Sequence, residues 1–166
     1  DDLWKAIALL ERALAIDPSF AAAWTELNRY HMRFLSLVDA AEAASHQQKA
    51  KAAIERALEL DPDFAETYGQ YGYMQIFLEF DWKGANASLR RGLALDPENP
   101  RVVNLAGVIA GAEGRFEDAN RLFLAVSRLD PLSAAPYGNL GIVRTNAARH
   151  EAALDAYRKA MEDKEL

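Results

Sequence analysis

The side chains best suited to metal binding or proton transfer near neutral pH are three histidines, His31, His46 and His150. They are widely separated, and only Glu42 with His46 has the four-residue spacing that sets two ligands on one helical face. Two ligands fall short of a metal site, so this pair is expected to be solvated. With no cysteine in the chain, disulfide frameworks, zinc ribbons and thiolate nucleophiles are excluded. Carboxylates are plentiful, but Glu11, Glu55, Glu59 and Glu117 are expected on outward helix faces. Nothing converges two of them in a dry pocket, as acid–base catalysis requires. The expectation is a protein with no catalytic residue, no metal and no cofactor.

Other chemical patterns have simpler readings. Gly69, Gly72 and Gly84 lack the preceding strand and following Gly-Lys-Ser/Thr of a phosphate loop. Gly107 and Gly111 have the spacing of dimerising membrane helices, but the apolar span of about 20 residues is missing, so close helix packing is expected. Asn86-Ala87-Ser88 matches a glycosylation acceptor within a helix. Asp163-Lys164-Glu165-Leu166 resembles a retrieval tetrapeptide with its first two residues exchanged; both are discounted because no secretory leader is visible. The chain starts at Asp1 without an initiator Met and reads as a piece of a longer protein. A cytoplasmic location is the expectation from the visible segment.

The elements behind these residues follow from composition and spacing. The 166 residues carry 19 Lys and Arg against 25 Asp and Glu, a net charge of -6, which gives no basic nucleic-acid footprint. Hydrophobic residues make up 51%, sufficient for one globular domain with a core, here expected over 1–166. Abundant alanine and scarce Val and Thr favour helix over strand. Asp-Pro recurs at Asp17-Pro18, Asp61-Pro62, Asp96-Pro97 and Asp130-Pro131, at spacings of 44, 35 and 34 residues. Twelve residues before each Pro stand Ala6, Ala50, Ala85 and Ala119; eight before stand Leu10, Ile54, Leu89 and Phe123; five before stand Ala13, Ala57, Gly92 and Val126. Small residues let helix axes approach and the large one fills the groove beside them. Ten after each Pro stand Asn28, Gly72, Gly107 and Gly141. Pro cannot continue a helix, so each Asp-Pro ends a unit of two helices.

These units resemble the tetratricopeptide repeat family. Its pattern of an aromatic, Leu-Gly, then Ala and an aromatic is matched by Tyr137, Leu140, Gly141, Ala153 and Tyr157. Asn28, Gly92 and Val103 depart from it at single positions. The resemblance implies an all-α, right-handed superhelical solenoid of antiparallel helix pairs. Residues 3–16 would be a leading half repeat, followed by pairs at 20–60, 64–95, 99–129 and 133–163. The 44-residue spacing places ten extra residues around Phe34 to Gln47. The 35-residue spacing places one near Phe80-Asp81-Trp82, with Asp81 a helix N-cap. The enlarged repeat, the Phe-Asp-Trp element and Asp130 to Ser133 resemble a bacterial variety found carboxy-terminal to adenylate cyclase, kinase or winged-helix domains.

The resemblance implies a protein-interaction module without catalytic activity, whose first helices line a concave groove. Groove candidates are Glu26, Arg29, Glu66, Gln70, Tyr73, Arg101, Asn104, Val108, Asn139 and Ile142, with Thr25 and Gly138 beside them. Tyr73, Val108 and Ile142 suit an apolar side chain, and the amides suit a peptide backbone. The Lys and Asn clamp that some relatives close on a terminal carboxylate is not assembled, because Thr25, Arg29, Gly69 and Tyr73 occupy its first positions. The expected partner is a protein or peptide, not nucleic acid or membrane. Two rival roles are a regulatory arm of a signalling protein and self-association. For the latter, Leu3, Trp4 and Ile7 would form a bare face on the first helix and support a homodimer.

Overall fold

The computed structural model describes residues 2–162. The retrieval-like tetrapeptide Asp163 to Leu166 lies outside the described residues. Among those described, the elements are helices α1 (Asp2–Ile16), α2 (Ala21–Phe34), α3 (Ala40–Leu60), α4 (Ala65–Met74), α5 (Trp82–Leu95), α6 (Pro100–Ala112), α7 (Phe116–Leu129), α8 (Ala135–Asn146) and α9 (His150–Glu162), with a π-helical turn at Gln75–Glu79 continuing α4. The chain forms two compact units, Asp1–Leu95 and Asp96–Leu166.

The Asp-Pro steps at Asp17, Asp61 and Asp130 each close a helix by the same chemistry. The amides of Asp17, Asp61 and Asp130 donate to the carbonyls of Ala13, Ala57 and Val126, completing the last turn. The Asp17 and Asp61 carboxylates accept from the amides of Ser19 and Asp63 at 2.9 and 3.1 Å, and so fold the chain back. Trp24 Nε1 and Tyr68 Oη then donate to the carbonyls of Pro18 and Pro62, both at 3.0 Å. An aromatic with a polar tip therefore pins the next helix to the turn that precedes it.

In the first unit, Ile7 and Leu14 of α1 pack with Ala23, Leu27 and Phe34 of α2 and Ala53 of α3. A second cluster joins Met32, Ala50, Ile54 and Met74. In the second unit the core is Ala110, Ala119, Phe123, Leu140, Val143 and Ala156. The small and large positions read from the spacing meet as expected here: a Cβ added at Gly107 would lie 2.6 Å from the Phe123 ring, and one added at Gly141 would strike the ring of Tyr157. In the first unit the smaller Ile54 replaces the aromatic, and Asn28 replaces the glycine. Asn28 is fully buried and donates to the Ala50 carbonyl at 2.9 Å.

The extra residues are absorbed in two ways. α3 has 21 residues where α5 and α7 have 14, so most of the ten-residue insertion lengthens α3 at its start. Asp39 caps that start, accepting from the amides of Ala41 and Glu42 at 3.0 Å. The single extra residue lies upstream of the expected Phe80-Asp81-Trp82, in the π turn, the helical form that accommodates one added residue. Asp81 does cap α5, accepting from the Gly84 amide at 2.9 Å.

Candidate functional site

In the first unit the insertion and the π turn converge on one depression of about 520 Å³. It is lined by Met32 and Arg33 from the end of α2, Leu35, Ser36 and Leu37 from the following loop, Gln47 of α3, Tyr73 of α4, and Phe77 and Leu78 of the π turn. The π turn positions its aromatic wall, where the Tyr73 and Phe77 rings pack with centroids 4.5 Å apart. Burial raises the Tyr73 pKa above that of an ordinary phenol, so the hydroxyl stays protonated and able to donate. Leu37 and Phe77 nevertheless remain 64% and 42% exposed. The surface is therefore apolar and open, with Arg33 and Gln47 to orient a ligand.

Of the sequence-derived candidates in this unit, Tyr73 alone lines the depression. Gln70 is buried, Glu66 is half-buried, and Glu26 pairs with Arg29. Thr25 is a correction: it is buried and hydrogen-bonded to Thr67 at 2.8 Å, because α2 and α4 meet there. Phe77 and Leu78 were missed, and Leu35 and Leu37 were reached only as part of the inserted segment from Phe34 to Gln47, the next candidate after the groove. The signal for them was the departure of the first two spacings from 34 residues, since both extra segments supply walls of the depression.

In the second unit, Asn139 donates to Asn104 Oδ1 at 3.0 Å, joining α8 to α6. Val108 is half-buried beside the core, Arg101 is exposed, and Ile142 is 54% exposed on α8. These residues form a polar ladder flanked by an apolar side chain. The pairing occupies one donor and one acceptor of the two amides and leaves the remainder for a ligand backbone.

The α1 candidates divide. Ile7 is 4% exposed and belongs to the core, a correction to the expected bare face that follows from its packing on α2. Leu3 is partly buried against the same cluster. Trp4 stays 49% exposed, with its ring 4.5 Å from Phe34 and 5.6 Å from His46.

The histidines give the third correction. His46 is not solvated: it is 3% exposed, His31 is 1% exposed, and their Nδ1 atoms are 2.8 Å apart. Glu42 Oε1 lies 3.9 Å from His46 Nε2, on the ring edge away from His31. Among the described residues no group of three or more His, Asp or Glu is placed to hold a metal, and no helix is long and apolar enough to cross a membrane.

The sequence profile of the Tetratricopeptide repeat family matches residues 35–64. No curated protein sequence matches. Among solved structures, the chain is similar to PilF of Pseudomonas aeruginosa at 25% identity, covering 89% of this chain and 62% of that one, with a TM-score of 0.67. It is similar to MamA at 20% identity, with 99% and 90% coverage and a TM-score of 0.61. The likeness to YrrB, described as a TPR protein with an unusual peptide-binding site, is 24% identity, 98% and 78% coverage, and a TM-score of 0.59. At the two lower identities the similarity establishes the fold alone.

Proposed function

Taking the chain as the tetratricopeptide-repeat array that its fold and its matched repeat make it, we propose that it is a non-catalytic protein-interaction module that binds a peptide segment of a partner protein. The observation that carries this reading is the open apolar depression of the first unit, where Phe77 and Leu37 stay exposed beside Tyr73. Exposed bulky side chains around a preformed hollow are the usual anchor sites of peptide ligands. The peptide-binding site reported for YrrB supports the same class of role. The Asn104–Asn139 ladder and Ile142 of the second unit are the alternative contact surface for such a peptide.

The test is selection of peptides from a random displayed library by the intact chain. Selected peptides should carry a bulky apolar residue, and replacing Tyr73 and Phe77 together by Ala should weaken them by more than about 1 kcal/mol with helicity unchanged. Affinity that survives this change but falls with Asn104→Ala and Ile142→Asp would move the site to the second unit.

A second reading is self-association through α1. Trp4, Leu9 and Ile16 of that helix are 49%, 61% and 86% exposed, and a second copy of the chain would cover them.

A further inference from the structure

His46 is the last of the seven residues by which α3 exceeds α5 and α7, and it is the one that reaches the partner helix most deeply. Its ring stacks on Phe34 with centroids 4.7 Å apart and an interplanar angle of 18°. Trp4 closes on its edge, and His31 of α2 meets it nitrogen to nitrogen. Two imidazole nitrogens at 2.8 Å are compatible only with one N–H donating to one bare lone pair. Protonating the accepting Nδ1 sets two N–H groups against each other and leaves a charge where almost no ring surface reaches water.

We propose that the His31–His46 pair is a proton-released latch: closed while one Nδ1 keeps its lone pair, it holds residues 40–49 of α3 against α1 and α2, and acidification frees that segment while the remainder of the first unit stays folded. The charged groups facing the pair are Glu42, on the outer edge of His46, and Lys49, which adds positive potential at His31. From α1 the pair meets the Trp4 ring and from α2 the Phe34 ring. The only charged side chain of α4 is Glu66 in its first turn, and Glu79 of the π turn pairs with Lys51 at 3.6 Å. Desolvation, then the neighbouring imidazole and Lys49, push the pKa of His31 down from 6.5 to about 4. His31 therefore takes up a proton when the segment is released that it refuses when the segment is closed. The stabilisation from the pair is complete above pH 6.5 and is lost as the pH falls from there toward 4. Met32 and Gln47, the chain neighbours of the two histidines, line the depression, so release also removes part of its wall. The latch itself stands whether or not that depression takes a ligand.

The test is an NMR titration of the intact chain from pH 7.5 to 4, following the imidazole and backbone amide signals together. His31 should remain without its second ring proton well below pH 6.5. When it does protonate, the amides of residues 40–49 should lose exchange protection while those of residues 65–95 keep theirs. In the double variant His31→Asn, His46→Asn, whose amides reach the Nδ1 positions without titrating in this range, the acid step in residues 40–49 should disappear. A His31 imidazole that charges near pH 6.5 while residues 40–49 stay protected would overturn the latch. So would release of that segment at an unchanged pH in the double variant. If the double variant does not fold, the wild-type titration decides alone.

Discussion

Gly114 and Ala148 hold the same left-handed backbone, with φ of 77° and 58°, at equivalent points of successive repeats, where the first helix of each pair ends. The amides that follow, Arg115 and Arg149, donate back to the carbonyls of Ala110 and Arg144 and close the turn. Nothing lies within 4 Å of a Cβ added at Gly114, so conformation alone decides what a substitution does there. Gly114→Ala should destabilise by about 1 kcal/mol, and Ala148→Gly should stabilise by about 0.5 to 1 kcal/mol, because a side chain disfavours left-handed φ. Chemical denaturation of the two variants should show opposite shifts of midpoint. Gly107 responds to packing instead: Gly107→Leu or Ala119→Leu should cost about 1 to 3 kcal/mol by overpacking against fixed neighbours, while Lys159→Gln on exposed α9 should change little. Equal melting temperatures for the core and surface variants would refute the assigned register.

Among the elements, α3 and the π turn carry the departures from the repeat. Deleting Phe77 should convert the π turn to ordinary α-helix, and the Asp81 amide, which now bonds to the Gln75 carbonyl six residues back, should pair five back as Arg115 and Arg149 do. Circular dichroism should change little, and ligand binding at the depression should fall, because its aromatic wall loses Phe77. These elements also mark how far the sequence could be read. Ala50, Ala85, Ala119 and Phe123 were legible because only a small residue fits a close helix crossing and only a large one fills the space beside it, and all four are buried. The His31–His46 contact was not legible. It depends on how many inserted residues continue α3 and how many form the loop, and spacing alone does not divide them. The depression was legible only as an inserted segment from Phe34 to Gln47, since Leu37 and Phe77 lie where the other repeats have no counterpart to show which side chains meet.

At the scale of the whole chain, the exposed surface of α1 sets the prediction. Trp4→Glu should shift any dimer toward monomer in sedimentation velocity with helicity nearly unchanged. It should also lower the melting temperature modestly, because the indole packs on Phe34 and His46 within the same unit. Monomeric wild-type protein at high concentration would eliminate self-association and leave Trp4 to its packing role.

The π turn bears on how such chains lengthen over generations. A residue inserted into a regular helix turns every later side chain by about 100°, which in a stack of paired helices would move the next contact face out of place. Here the added residue is confined to Gln75–Glu79, and Ala85 and Leu89 beyond it keep their places in the core. A one-letter insertion thereby becomes a heritable change that selection can retain, and the distance between successive Asp-Pro steps is no fixed ruler of descent.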